Sequence, residues 1–280
     1  MKERFDYRAK KWLFQQVTRH RSSDQLDRIA GTDWDVLVVL DACRVDTLRR
    51  VAGWPVDSAV SPASCTPRWL AAVADRGTFD GTHVVAGNPQ YAKVDVDVGE
   101  ESLERCWETH WDEELQTTLP EAMLESATET VADASNVVAH LQPPHWPYVA
   151  RLGDSWSLAY GDLGPWKTNG DEVVSVQVAM QRGLIDADRA RRAYRASVQS
   201  VWEVLCEYLS EWVDDGYSAV VTADHGETFG RAREFGFYEH PCGCRIPPLV
   251  NVPWIELRPR ADRTGSGTVR DRLRALGYAE

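Results

Sequence analysis

The chain has 280 residues, 43% of them hydrophobic, and carries 43 Asp and Glu against 31 Lys and Arg for a net charge of −12. That length and apolar content suit one large domain, or a domain with a small lobe, and exclude a disordered tail. The acidity excludes a general nucleic-acid binder, which needs a basic face, and no apolar run reaches the roughly 18 residues of a membrane span.

The N-terminus, MKERFDYRAKKWLFQQVTRHR, is basic and amphipathic and lacks the apolar core and small-residue cleavage site of a secretory signal. It reads as an ordinary capping helix, a helical extension over 1–32, although the same pattern could rest on an anionic membrane surface. The expected location is cytoplasmic. Six cysteines scattered through such a chain (Cys43, Cys65, Cys106, Cys206, Cys242, Cys244) argue poorly for a disulfide framework. Cys242-Gly243-Cys244 lacks the second pair that a structural zinc site needs.

Val36–Leu40 is an unbroken Val/Leu run, the pattern of a buried parallel strand, and Asp41-Ala42-Cys43-Arg44 follows it directly. Ser61-Pro62-Ala63-Ser64-Cys65-Thr66-Pro67-Arg68 opens a helix, and 83–87 is a second strand. Residues 95–130 are acidic and predicted mostly helical; 136–141 is a third strand that closes into Pro143-Pro144-His145-Trp146. The Gly-, Trp- and Asp-rich stretch 150–172 reads as a surface excursion over the site. A long helix over 186–213 carries Tyr194, Val198, Val201, Leu205, Tyr208 and Leu209 at helical spacing. A fourth strand, 217–222, ends at Ala223-Asp224-His225-Gly226-Glu227. Residues 247–253, with three prolines, suggest an edge strand, and the tail from 258 a surface helix. Strands alternating with helices define an α/β fold around a mainly parallel sheet, one domain over 33–280. In such folds ligands bind where strands end, and Asp41, His145 and Asp224-His225 all stand there.

Asp41 alone reads as a helix cap. Asp224-His225 offers a carboxylate and an imidazole to one divalent cation, with Gly226 allowing a sharp turn. The hydroxyls and thiol around Cys65-Thr66 sit at a helix N-terminus, where backbone N–H groups favour an anion and an activated hydroxyl can be a nucleophile. His140, inside an apolar strand, reads as a core residue. Asp186 and Asp188 read as helix-start acids. Trp146, Trp156 and Trp166 fall near the supposed crevice, where a sugar could stack.

Taken in order, Val-Leu-Asp-Ala-Cys-Arg-Val-Asp, Ser-Cys-Thr-Pro-Arg, Pro-Pro-His-Trp-Pro-Tyr, Thr-Ala-Asp-His-Gly-Glu and Tyr238-Glu239-His240-Pro241 resemble the sulfatase-like branch of the alkaline phosphatase superfamily across about 33–255. The resemblance implies a three-layer α/β/α sandwich and one divalent metal ion (Mn, Zn, Ca or Mg) held by Asp41, Asp224 and His225. It implies a nucleophile at Thr66 or Cys65, Thr66 being preferred. Sulfatases mature the Cys of a Cys-x-Pro-x-Arg motif to formylglycine, whereas Cys65-Thr66-Pro67-Arg68-Trp69 places the Arg one position early. His145 would contact substrate oxygens or protonate the leaving group, and His240 would do the same or join the metal. Arg68 and Arg44 are available to bind the anion. Ala42 stands where many relatives have a second acid, and no mid-chain Asp and His pair suits a second metal, so one ion is expected.

The expected activity is that of a metal-dependent hydrolase or transferase on phosphate or sulfate esters, the substrate a small molecule or a glycan or lipid head group. The alternatives are a formylglycine sulfatase and a catalytically silent binding protein. Much Asp and few Lys suggest a protein adapted to high salt, and so a member from a halophilic archaeon. Oligomeric state is left open.

Overall fold

Val36–Leu40 (β1) has no side chain more than 1% exposed, as a strand must when helices cover both faces of its sheet. It lies inside a seven-stranded sheet with Asp57–Val60 (β2), His83–Ala86 (β3), Leu103–Arg105 (β4), Val137–Leu141 (β5), Ala219–Ala223 (β6) and Asn251–Leu257 (β7). The spatial order is β2-β7-β6-β1-β5-β3-β4. The computed structural model describes residues 5–94, 102–133, 136–159, 167–169 and 172–259. Strands β6, β1, β5, β3 and β4 run parallel, while β7 pairs antiparallel with both β6 and β2.

Register matters most for function. Leu40 lies opposite both Ala223 and Leu141, so the residues that follow, Asp41, Asp224 and Gln142, leave the sheet at one level. Among the described residues the helices of seven residues or more are Phe5–Thr18 (α1), Gln25–Gly31 (α2), Val45–Val51 (α3), Thr66–Arg76 (α4), Pro120–Val131 (α5) and Ala187–Asp214 (α6). Asp186 caps α6 by accepting from the Asp188 N–H at 2.8 Å. Tyr194, Val198, Val201, Leu205 and Leu209 on that helix are buried, and Tyr208 is partly so. Helices α3 and α5 pack against α6. On the other layer Gln25 of α2 accepts from Trp69 Nε1 of α4 (2.9 Å) and donates to Thr222 Oγ1 (2.8 Å) and the Ala223 carbonyl (2.7 Å) of β6.

Three sequence expectations change. Residues 102–118 form β4, a single helical turn and a short hairpin, so among the described residues of the acidic segment the longer helix begins at Pro120, where a proline at the first turn starts α5. The proline-rich strand β7 is internal rather than at an edge. Its ladder to β6 covers 255–257, beyond Pro253, so the missing N–H removes no bond there, and Thr222 Oγ1 donates to the Pro253 carbonyl at 2.9 Å. The excursion after residue 149 contains a hairpin of Val149–Leu152 with Ser155–Leu158 and a pairing of Lys167–Asn169 with Glu172–Val174. Trp166 and the tail from 260 lie outside the described residues.

Candidate active site

Asp41 does not cap a helix; α3 starts after Arg44, and the Asp41 carboxylate turns into the molecule, 2% exposed. The next residue makes that turn. Ala42 has φ 59°, the left-handed region, which costs a non-glycine residue about 1 kcal/mol. Both of its backbone groups are held there: the N–H donates to Asp224 Oδ1 (3.1 Å), and the carbonyl accepts from the Tyr194 hydroxyl (2.7 Å). The same hydroxyl accepts the Arg44 N–H at 2.8 Å, so α6 pins the corner at the end of β1.

The corner at the end of β6 faces it. Asp224 and His225 are fully buried, and the His225 N–H donates to Asp224 Oδ1 at 2.7 Å. Gly226 is required by space: a Cβ there would lie 2.2 Å from the Pro248 carbonyl oxygen. The expected sharp turn is therefore a close backbone approach, and the Gly226 N–H donates to Leu249 O (2.9 Å).

His225 Nδ1 lies 2.8 Å from the Gly226 carbonyl, which can only accept, so Nδ1 carries the proton and Nε2 presents a lone pair. That lone pair faces Asp41 Oδ1 and Asp224 Oδ2, both at 3.4 Å. Asp224 Oδ2 has no hydrogen-bond partner among the described residues. Burial, then the charges of Asp224 and Glu227, push the Asp41 carboxyl well above its usual range. Burial, with neighbouring His240, holds His225 down to about 3, an uncharged imidazole. Burial and the neighbouring charges favour a proton on Asp41, and a cation between the two carboxyls and the imidazole lone pair would take that proton's place. One ligand atom from each of Asp41, Asp224 and His225 falls within 4.8 Å of the others. Donors 3.4 Å apart fit a tetrahedron with bonds of about 2.1 Å or an octahedron with bonds of about 2.4 Å. The donor set therefore fits a divalent ion without identifying it.

Thr66, the first residue of α4, puts Oγ1 3.2 Å from His225 Nε2 and 3.4 Å from Asp41 Oδ1. Its neighbour Cys65 is not a free thiol: a disulfide joins it to Cys242, Cα atoms 5.2 Å apart. The scattered cysteines thus contain one bridge, which closes 177 residues of sequence and was hidden by that separation. It ties the loop after His240 to the start of α4, and Ser64 doubles the tie by donating to Pro241 O (2.9 Å) and accepting from the Gly243 N–H (2.9 Å). Cys43, Cys106, Cys206 and Cys244 are free and buried.

Above these atoms opens a cavity of about 630 Å³ lined by Asp41, Thr66, His145, Trp146 and His240 among others. Burial and the neighbouring His240 lower His145 to about 4, leaving a neutral ring whose Nδ1 lies 2.7 Å from the Trp146 carbonyl. His240 is the reverse. Burial alone would lower it, but Glu227, whose Oε2 is 3.2 Å from Nδ1, raises it and favours the cation. The His240 ring lies 4.6 Å from that of His225 and 5.1 Å from that of His145.

The two arginines lie elsewhere. Arg44 is 4% exposed, and its guanidinium is shared between Asp46 (2.8 and 2.9 Å) and Glu234 (2.7 Å), with a further bond to Glu227 O (2.7 Å). Arg68 is exposed, lies against Gly243, and neither residue lines the cavity. Trp156 donates to the Glu121 carboxylate instead of facing the crevice, so of the three tryptophans Trp146 alone lines it among the described residues. His140 is the expected core residue, with Tyr91 OH 3.0 Å from Nδ1 and the Trp69 ring edge-on. Asn88, which donates to Asp41 Oδ2, and Gln177, 3.4 Å from Glu227, were missed along with Gln142. Single amides, two beside strand ends and Gln177 in a short helix, carry no periodic signal; only the level strand ends identify Gln142 in advance.

No family model matches the chain, and no curated protein sequence matches it. Its fold does match solved structures. Lipooligosaccharide phosphoethanolamine transferase A of Neisseria meningitidis, an integral membrane protein, superposes with a TM-score of 0.54 at 13% identity, over 83% of this chain and 49% of that one. Its soluble domain gives 0.52 at 14%, over 86% and 78%. The C-terminal periplasmic domain of phosphoethanolamine transferase EptC of Campylobacter jejuni gives 0.53 at 17%, over 79% and 78%. The chain thus has the alkaline-phosphatase and sulfatase-like α/β fold expected of it, and spans about half the length of the full-length Neisseria protein. The expected cytoplasmic setting is corrected by the same findings. A neighbour of this fold is a periplasmic domain, and the Cys65–Cys242 bridge belongs to the chemistry of oxidising compartments.

Proposed function

We propose that this chain is a metal-dependent phosphoric-ester transferase or hydrolase whose nucleophile is Thr66. The observation that carries the reading is the Thr66 hydroxyl, set within 3.4 Å of both Asp41 and His225 on the floor of an open cavity. Asp41, Asp224 and His225 would hold one divalent ion. When bound, that ion would acidify a nearby hydroxyl and neutralise charge on the transferred group.

Thr66 Oγ1, giving its proton to solvent, forms the new bond to phosphorus as the bond to the departing alcohol oxygen breaks in line, leaving Thr66 esterified to a phosphoryl group that keeps the diester's other alcohol. Water or an acceptor alcohol then takes the phosphoryl group and returns the hydroxyl. His240, held cationic by Glu227, is suited to bind phosphoryl oxygens or to give the leaving oxygen its proton, and neutral His145 to orient it. A phosphodiester rather than a sulfate ester is the favoured substrate, because Cys65 is bridged and has no thiol to mature. The neighbours' names, phosphoethanolamine transferases, support a glycan or lipid head-group ester, which Trp146 would stack against if it carries a sugar.

The test is turnover of chromogenic phosphate monoester, phosphate diester and sulfate esters with added Mn²⁺, Zn²⁺, Mg²⁺ or Ca²⁺. Diester hydrolysis is expected, reduced by about 10³-fold or more in Thr66→Ala. A chelator should abolish it and lower Tm. Turnover retained in Thr66→Ala would refute the nucleophile. Metal binding without turnover of any ester would favour the silent binding protein.

A further inference from the structure

Helix α1 has two apolar faces. The inner one, with Tyr7 and Phe14, packs on Phe235 and Phe237 (ring centroids 4.7–5.8 Å apart) and on the small cluster of Ile246, Leu249 and Val250. Lys10 on this side donates to the carbonyls of Phe235 and Gly236. That much is a capping helix. The outer face carries Ala9, Trp12, Leu13 and Val17 at the i, i+3, i+4, i+8 spacing of one stripe. Trp12 is 63%, Leu13 51% and Val17 64% exposed. These are three of the six large hydrophobic side chains exposed among the described residues. Exposed Arg8, Arg19 and His20 flank them, with exposed Asp6 and Gln16 on the same face.

Charge identifies the occupant. Residues 1–21 hold seven Lys and Arg and two acids, a net +5, in a chain whose total is −12, which leaves −17 for residues 22–280. Three of the five lysines fall in this segment. An apolar stripe bordered by cations on an otherwise acidic protein is the pattern of a helix that lies in the interface of an anionic bilayer. The chain's own residues 260–280 suit it poorly, since five Arg against three acids repel a basic helix.

The site lies on the same side. Lys11 and Gln15, on the inner face of α1, line the cavity above Thr66, so the cavity wall and the exposed stripe are two sides of one helix about 10 Å thick. We infer that the outer face of α1 docks on an anionic membrane surface, bringing the cavity to the level of the head groups. The docking is independent of the proposed chemistry; only the choice of head-group esters as substrate joins the two.

The experiment is vesicle flotation with the full chain. Phosphatidylglycerol and phosphatidylcholine in equal parts are compared with phosphatidylcholine alone, at low and high salt. The chain should float with the anionic vesicles alone, less so in high salt. Leu13→Glu with Val17→Glu should cut binding by about tenfold or more, and Arg8→Glu with Arg19→Glu should remove its salt dependence. All four positions are exposed, so the fold and the turnover of a soluble diester should not change. If turnover fails but flotation holds, the fault lies with the proposed chemistry. Absence of flotation overturns the docking, as does a dimer that these substitutions dissociate, or binding seen only after residues 260–280 are removed.

Discussion

Two clusters of charge sit side by side at the end of the central sheet, and they are built on opposite principles. In the first, the Arg44 guanidinium lies between Asp46 and Glu234, Arg233 adds a second cation at 3.1 Å from Asp46, and Glu234 also accepts the N–H groups of Phe229 (2.7 Å) and Arg231 (3.2 Å). Two cations meet two anions, and the charges cancel. In the second, Asp41 and Asp224 face a neutral imidazole, and one carboxylate oxygen has no partner among the described residues. Burying charge is costly, so a balanced cluster can serve as scaffold. An unbalanced one invites a proton or an ion to complete it, the pattern of a binding site rather than of a structural ion pair. Arg44 resembles an anion-binding residue in sequence and belongs to the first cluster.

This contrast can be broken most severely at Arg44. Arg44→Ala leaves Glu234 buried and uncompensated, and should cost about 3–5 kcal/mol in urea unfolding. Replacing both, Arg44→Met with Glu234→Gln, should recover much of that loss. A cost below about 1 kcal/mol for the single change would mean that the cluster is not scaffold.

His140 sharpens the contrast by pH. It lies behind the site, and burial holds its pKa at about 4, against 6.5 for the free side chain. The unfolded chain therefore binds a proton that the fold refuses. Its contribution is complete above pH 6.5 and is lost as pH falls toward 4, at most about 1.4 kcal/mol per unit and about 3 kcal/mol in all. Unfolding free energies measured across that window should flatten by that slope in His140→Gln. An unchanged slope would assign the acid sensitivity to other groups.

The smallest effect has the opposite sign. Asp224→Asn keeps Oδ1 to accept the N–H groups of Ala42 and His225 but removes one of the two like charges. Without added metal the variant should be more stable than the parent by about 1–2 kcal/mol, an exchange of function for stability. It should also lose the rise in Tm that a divalent ion gives the parent. Destabilisation without metal would show that the second cluster is balanced after all.

Strand β1, helix α6 and the Asp-His pair were legible in the sequence because each is a local pattern: an unbroken apolar run, a helical period, polar residues directly after a strand. The level ending of the parallel strands then made Asp41 and Asp224-His225 neighbours. Thr66 was legible as one of two candidates. Thr66 was already the preferred of the two; that Cys65 has no free thiol came from Cys242, 177 residues away. Asn88 meets Asp41 across 47 residues, and Glu234 meets Arg44 across 190. The outer stripe of α1 was visible as amphipathic, but which of its apolar faces would be covered depended on Phe235 and Phe237, more than 200 positions further on. Sequence alone therefore determined the central strands, the long helix and the polar residues placed at the strand ends. Which charges are cancelled, which thiol is bridged and which face stays bare were decided by tertiary contact, because these depend on partners to which no local period points.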